Sequence, residues 1–348
     1  MARDTTPDVT VVGAGVAGLC VATELVARGI PLRLLDTAGE PGAHGCSWWA
    51  GGMLAPFCEA ESAEEPVVRL GQEAAGWWAR HADCVASEGS LVVTLARDRR
   101  ELERFARRTA GHRRVAQDEI GLLEPALEGR VRDALFFEQE AHLDPRAALM
   151  ALRDGLARRG IPIERRSFDA TGVGPDDRVP AGLVPRGLII DCRGFAARDQ
   201  LPDLRGVKGE MVVLRSPDLV LRRPVRLLHP RHPLYIVPRG DGVFMLGATQ
   251  IESGERSRVS VRSLMELLSA AFALHPAFGE AEVLEMAADV RPAFPDNLPR
   301  IRRQGGRIYV NGLFRHGFLL APAVATQLAD WITTGKKPEV MDENDDAN

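Results

Sequence analysis

Eight residues near the N-terminus, Val11-Val12-Gly13-Ala14-Gly15-Val16-Ala17-Gly18, have the types and spacing to seat a pyrophosphate. Gly13 permits a tight turn, Gly15 lets the phosphates approach the backbone, and Gly18 lets the following helix pack closely on the strand. Asp36 stands eighteen residues after Gly18, near the ~20 at which an acid accepts hydrogen bonds from an adenosine ribose. Together these residues point to a dinucleotide, either FAD or NAD(P). Three later segments carry further candidates. Arg291 begins Arg291-Pro292-Ala293-Phe294-Pro295-Asp296-Asn297-Leu298-Pro299. Its planar fork suits a carboxylate, and an ordinary salt bridge is the other reading. The Tyr235 hydroxyl could serve a ligand or a core carbonyl. His316 lies in Gly312-Leu313-Phe314-Arg315-His316-Gly317-Phe318-Leu319-Leu320-Ala321-Pro322, just before a helix N-terminus whose amides can meet an electron-rich ligand. It reads either as a packed loop residue or as a base. His229 and His232 could line a pocket near Tyr235. No GxSxG, HExxH or CxxC occurs, and no histidine spacing suits a metal.

The elements that must position these residues follow from periodicity. Val9–Val12 is a β-branched strand, Leu19–Arg28 a helix stopped by Gly29 and Pro31, and Leu32–Leu35 a second strand. Glu64–Val85 reads as one helix with an apolar face through Trp77 and Trp78. Leu91–Leu95 and Ala134–Phe137 read as strands, with a charged helix over Arg97–Arg108. Asp144 caps a helix with Pro145 at its first position, running to Arg159. Residues 171–187 are rich in Gly, Pro and charge and read as a surface excursion. Leu188–Asp191 is a buried strand ending at a glycine turn. From Val207 the pattern turns to β: Glu210–Leu214, Val225–Leu228, Leu234–Val237, Val243–Gly247 and Val283–Asp289, with a helix over Leu264–Leu274. Tyr235–Thr249 is a hairpin around Arg239-Gly240-Asp241-Gly242. Arg307–Val310 is a strand, and Pro322–Thr333 is the last helix.

The dinucleotide-type signals sit at both ends of the chain and near Ile189–Gly194, with a β-rich block between them. The expected fold is therefore α/β (α+β overall). A Rossmann-like cofactor domain is assembled from 8–85, 145–200 and 285–335, and a mixed-sheet substrate domain from 86–144 and 201–284. Residues 336–348 form an acidic, disordered tail. A contiguous nucleotide domain is more usual in NAD dehydrogenases, so this layout favours FAD. The 348 residues allow two domains, and a net charge of −4 gives no nucleic-acid signal. No apolar run approaches the ~18–20 residues of a membrane span. Met1–Pro7 lacks a signal-peptide core, and the five scattered cysteines suggest reduced thiols in the cytoplasm.

The segments Gly13–Gly18 with Asp36, Ala50–Leu54 (AGGML), Val207–Met211 (VKGEM), Tyr235–Thr249, Arg291–Pro299 and Asn311–Pro322 resemble, in order, the glycine oxidase branch of the D-amino acid oxidase family. That resemblance implies FAD, with its adenosine end at Gly13, Gly15, Val16, Ala17, Gly18 and Asp36. Cys46, Ser47, Gly51, Gly52 and Met53 would run along the flavin. Leu313, Phe314, His316, Gly317, Phe318 and Leu319 would contact its ring. Arg291, with Tyr235, would bind the substrate carboxylate, and Arg315 matches a second substrate-side position. The family's usual pattern differs at Leu313 and His316. The implied reaction is oxidation of glycine, or of sarcosine or D-amino acids, by hydride loss from Cα to the flavin N5. Dioxygen would be reduced to hydrogen peroxide, with no side-chain base and no metal. The imine would feed thiazole formation in thiamine biosynthesis, with a thiazole synthase as recipient, and the protein would be a homo-oligomer. A flavoprotein that oxidises a residue on a partner protein is the alternative.

Overall fold

In the computed structural model the described residues are 9–167, 187–231 and 233–342. The expected excursion over 171–187 falls outside them except for Gly187, as do His232 and residues 343–348 of the tail.

Two sheets organise the chain. The first has seven strands in the order Met341–Asp342, Arg300–Gln304, Arg307–Asn311, Leu188–Asp191, Val9–Val12, Leu32–Asp36 and Ile163–Arg165. Its centre is parallel, with Val12 opposite both Asp191 and Leu35. Strands covered on both faces must be apolar throughout, and Val9, Val11, Leu34 and Ile190 are fully buried. The helices Val16–Ala27, Pro145–Arg158 and Gly317–Thr334 contribute to the same core. The second sheet is mixed and larger. Ser90–Thr94 pairs in parallel with Val225–Leu228, and the hairpin of Leu234–Pro238 with Val243–Gly247 continues it to Arg205–Arg215. The helix Val261–Leu274 buries Leu267, Ala271 and Leu274 against this sheet. A small third sheet joins Met53–Leu54, Ala141–Leu143 and Val85–Ala86. The mixed α/β architecture expected from the sequence is therefore the one observed.

Several boundaries differ for identifiable reasons. The helix expected over Glu64–Val85 is two helices, Glu65–Gly71 and Ala74–His81, followed by the short strand Val85–Ala86. The strand expected to end at Asp289 runs from Glu282 to Ala293, pairing with Arg205–Arg215 from end to end. Residues 285–293 thus belong to the second sheet, and Arg291 stands in a strand instead of a loop. The last helix starts at Gly317, five residues before Pro322. A proline inside a helix cannot donate to the carbonyl four residues back. That carbonyl, on Phe318, accepts instead from the Trp78 indole at 2.8 Å. Within the expected tail, Asp342 pairs as a strand with Arg302 and accepts from its guanidinium. Asp144 caps Pro145–Arg158 as expected, accepting from the Arg146 and Ala147 amides.

Candidate active site

A cleft of about 1040 Å³ runs between the two sheets. At one end lies the glycine turn. Gly13 has φ of +99°, and a Cβ there would stand 2.6 Å from the Cys192 carbonyl oxygen. A Cβ on Gly18 would overlap the Gly13 carbonyl. Gly15 is different: a side chain there would meet nothing closer than the Ser47 hydroxyl at 3.3 Å, so its surface is open toward the cleft. The Ser47 hydroxyl accepts from the Val16 amide at 3.1 Å, standing at the positive end of the first helix. Asp36 accepts from the Ala14 amide at 2.9 Å and the Ala38 amide at 2.8 Å. The turn, the helix N-terminus and the acid are therefore assembled as one anion- and ribose-facing cradle, which fits the adenosine diphosphate end of a dinucleotide.

The middle of the cleft is walled by Cys46–Met53. Arg239, at the tip of the hairpin, holds this loop. It donates to the Leu143 carbonyl at 2.8 Å, the Ala50 carbonyl at 3.1 Å and the Gly51 carbonyl at 2.9 Å. Tyr235, from the same hairpin, fits between two glycines. An added Cβ would stand 3.0 Å from its ring at Gly51 and 2.6 Å from its hydroxyl at Gly247. Burial pushes the Tyr235 phenol up despite the nearby Arg291, Arg315, Arg226 and Arg239. Burial also pushes the Cys46 thiol up to about 12, leaving it protonated.

Arg291 crosses the bare backbone of Gly209, where any Cβ would overlap its guanidinium. Its Nη1 donates to the Thr249 carbonyl at 3.2 Å, and no carboxylate among the described residues pairs with it. The salt bridge weighed against a ligand role is therefore absent there. Arg315 is held differently. It donates through Nη2 to Glu59 at 2.5 Å and to the Ser62 hydroxyl at 2.8 Å. Glu59 also accepts from Arg226 at 2.7 Å, and its second oxygen lies 2.9 Å from His316 Nε2. Burial raises the Glu59 carboxyl, but the two arginines and His316 outweigh it and hold the group well below the usual carboxylate range. Burial pushes His316 down and favours its neutral form, and its Nε2 sits between Glu59 and Arg315 Nε, which donates to it at 3.2 Å. Its Nδ1 is buried with no partner.

At the far end, the N-terminus of Gly317–Thr334 has no side-chain cap, and Gly317, Phe318 and Leu319 line the cleft. The residues singled out in the sequence line this one cleft, except Gly18, which packs beneath the turn, and His229, which is not part of its wall; His232 lies outside the described residues. Glu59, Arg226 and Arg239 were missed. Each sits in an ordinary apolar or turn context, and only contacts made by the fold reveal it. Among the described residues no group of His, Cys, Asp and Glu could hold a metal, and no helix is long and apolar enough to cross a membrane.

A sheet with a parallel centre and a glycine turn, a second mixed sheet and a long cleft between them fit a dinucleotide-binding oxidoreductase. The family described as FAD dependent oxidoreductase (DAO) matches residues 8–331, and the chain belongs to it. It is 53% identical over 323 residues to the putative thiamine biosynthesis oxidoreductase ThiO of Rhizobium etli, covering 92% of this chain and 95% of that one. It is 26% identical over 369 residues to the bifunctional protein ThiO/ThiG of Trichormus variabilis, covering 97% of this chain and 54% of that protein, about half its length. Its fold is similar to that of glycine oxidase from Bacillus cereus, with a TM-score of 0.77 at 23% identity over 95% of this chain and 96% of that one.

Proposed function

We propose that the protein oxidises glycine with FAD and dioxygen, and that its imine product enters the thiazole branch of thiamine biosynthesis. The observation that carries the reading is Arg291, a guanidinium without a carboxylate partner in the cleft wall, beside Tyr235. The similarity to ThiO supports it over nearly the whole chain. Arg291 would grip the substrate carboxylate with two parallel bonds, and Tyr235 would fix its orientation. The residues fit the cofactor as well. The amides after Gly15 and the Ser47 hydroxyl would hold the pyrophosphate, and Asp36 the ribose. The Gly51–Met53 wall and the amides of Gly317, Phe318 and Leu319 would hold the ring. When bound, FAD supplies the two-electron acceptor that dioxygen reoxidises. The amine must be neutral to release its electron pair, and water entering the open cleft would take its proton. Arg315, occupied by Glu59 and Ser62, would act at the edge of the site and leave the first carboxylate to Arg291.

The fused ThiO/ThiG relative supports a thiazole synthase as the recipient of the imine. A homo-oligomer completes the reading and is checked by light scattering. The test of the main reading is anaerobic mixing of the yellow holoenzyme with glycine. Glycine should bleach the flavin, and readmitted dioxygen should restore it with release of hydrogen peroxide. A colourless protein that binds NAD, or a flavin that glycine leaves oxidised, refutes it.

A further inference from the structure

The side chains converging on Glu59 leave the cleft with more positive charge than a glycine-sized substrate balances. One Glu59 oxygen accepts from Arg226; the other accepts from Arg315 and lies 2.9 Å from Nε2 of His316, whose neutral form burial favours. One carboxylate thus faces two guanidiniums. Arg291 adds a third: all three line the same cleft as Tyr235, and Arg226 stands directly opposite Tyr235 in the strand register. Two other sets of charges at the cleft wall are internally paired. Arg256 binds Asp289, and Lys208 binds Glu210 and Glu255. Arg239, also close to Tyr235, is engaged by three backbone carbonyls. Donors remain available: Arg315 Nη1, Arg226 Nε and Nη1, and Arg291 Nε and Nη2 have no hydrogen-bond partner among the described residues.

A reacting amino acid with a neutral amine brings one negative charge if it has one carboxylate and two if it has a second. Three guanidiniums against one carboxylate are balanced only in the second case, and unbalanced charge beside the buried Glu59 and the largely buried Arg226 is costly. We infer that the site also takes small amino acids carrying a second carboxylate, and binds them more tightly than their neutral amides. Arg291 holds the carboxylate beside the reacting carbon, and Arg315, with Arg226 behind it, faces the other. This inference rests on the amine-oxidase reading above and names a substrate class for the same site.

The test compares pairs of equal size that differ by one charge: iminodiacetate against its monoamide, and D-aspartate against D-asparagine. Each compound is mixed anaerobically with the holoenzyme, and its half-saturating concentration for flavin bleaching is measured. For a compound that is not oxidised, half-inhibition of bleaching by glycine is measured instead. The acid should act at about tenfold lower concentration than its amide, equivalent to about 1.4 kcal/mol. Glu59→Gln keeps the shape and removes the opposing charge, so the acid-to-amide ratio should widen. Arg315→Met should collapse it. Equal half-saturation of acid and amide in the unaltered enzyme, or a ratio that Glu59→Gln leaves unmoved, overturns the inference. Glycine is run alongside. Bleaching by glycine without preference for acids sinks this inference alone, whereas no bleaching by any amine sinks the amine-oxidase reading itself.

Discussion

Replacing Arg239 by Met should loosen the cofactor-side loop while leaving the carboxylate anchor Arg291 in place. Arg239 donates three charged hydrogen bonds, to the Leu143, Ala50 and Gly51 carbonyls. Hydrogen bonds from a charged donor are each worth about 1.5–3 kcal/mol. The desolvation of a buried guanidinium offsets much of that sum. Methionine keeps most of the aliphatic stem, so little packing is lost. What remains is the cost of carbonyls left without their donor, about 3 kcal/mol in all, of which the two on the loop bear on the cofactor. Ala50 and Gly51 precede Gly52, whose φ of +72° fixes the course of the wall toward Met53. If binding FAD must re-form this course, the share of the two loop carbonyls, about 2 kcal/mol, appears as roughly a thirtyfold rise in the FAD dissociation constant. Flavin fluorescence during titration of apoenzyme measures that constant, and thermal release of flavin gives a second reading. Arg239→Lys should fall between, because an ammonium lacks the planar fork that reaches several carbonyls at once. An unchanged FAD affinity together with an unchanged melting temperature would falsify the assignment of Arg239 as the holder of this loop.

Other expectations follow from the same contacts. Arg291→Ala should raise the KM for glycine with FAD still bound, since losing a charge-assisted bidentate contact costs on the order of 2–4 kcal/mol; an unaltered KM removes Arg291 from the site. Gly209→Ala should fold normally, because the clash falls on the movable end of Arg291, yet it should raise the KM for glycine by about tenfold, or about 1.4 kcal/mol. Steady-state kinetics at saturating FAD decide this, and a drop in kcat alone would contradict it. His142 is buried neutral, with its pKa pushed down to about 4 by desolvation first and by Arg239 and Arg223 after it. Its pKa in the unfolded chain is higher, so stability should rise with pH from about 4 to 6.5, with about 3 kcal/mol of dependence removed in His142→Leu. Parallel denaturant curves for the two proteins across that window would rule His142 out.

What the sequence made legible was local. The glycine turn, the helix after it and Asp36 lie within one strand-helix-strand unit, and their spacing alone implies their geometry. The Tyr235–Thr249 hairpin and the Asp144 cap were equally self-contained. The residues that escaped are those whose neighbours are distant in the chain. Glu59 reaches Arg226 across 167 positions and Arg315 across 256. No period or motif marks such an acid, and nothing next to Arg315 shows that Glu59 holds it. The start of the last helix was misplaced for a related reason. Pro322 looked like a first-turn residue because the partner that makes it tolerable inside the helix is Trp78, in another element altogether.

The loop Cys46–Met53 shows why the two ends of the cleft are not independent. Ser47 is bonded to the amide at the start of the first helix, in the parallel sheet. Four residues on, Gly51 lies against Tyr235 of the mixed sheet, and its carbonyl is gripped by Arg239 from the same hairpin. Met53 then pairs with His142 in the small third sheet. A segment anchored at so many points cannot shift at one end without straining the other. Side chains that bind substrate are thereby set relative to the pyrophosphate cradle by backbone contacts and not by the cofactor alone. It follows that the glycine fingerprint specifies where the dinucleotide begins, whereas the hairpin and this loop decide where its reactive end meets the carboxylate anchor. Substitutions at Gly51 or Gly247 would therefore move Tyr235 and alter substrate handling while leaving the fingerprint untouched.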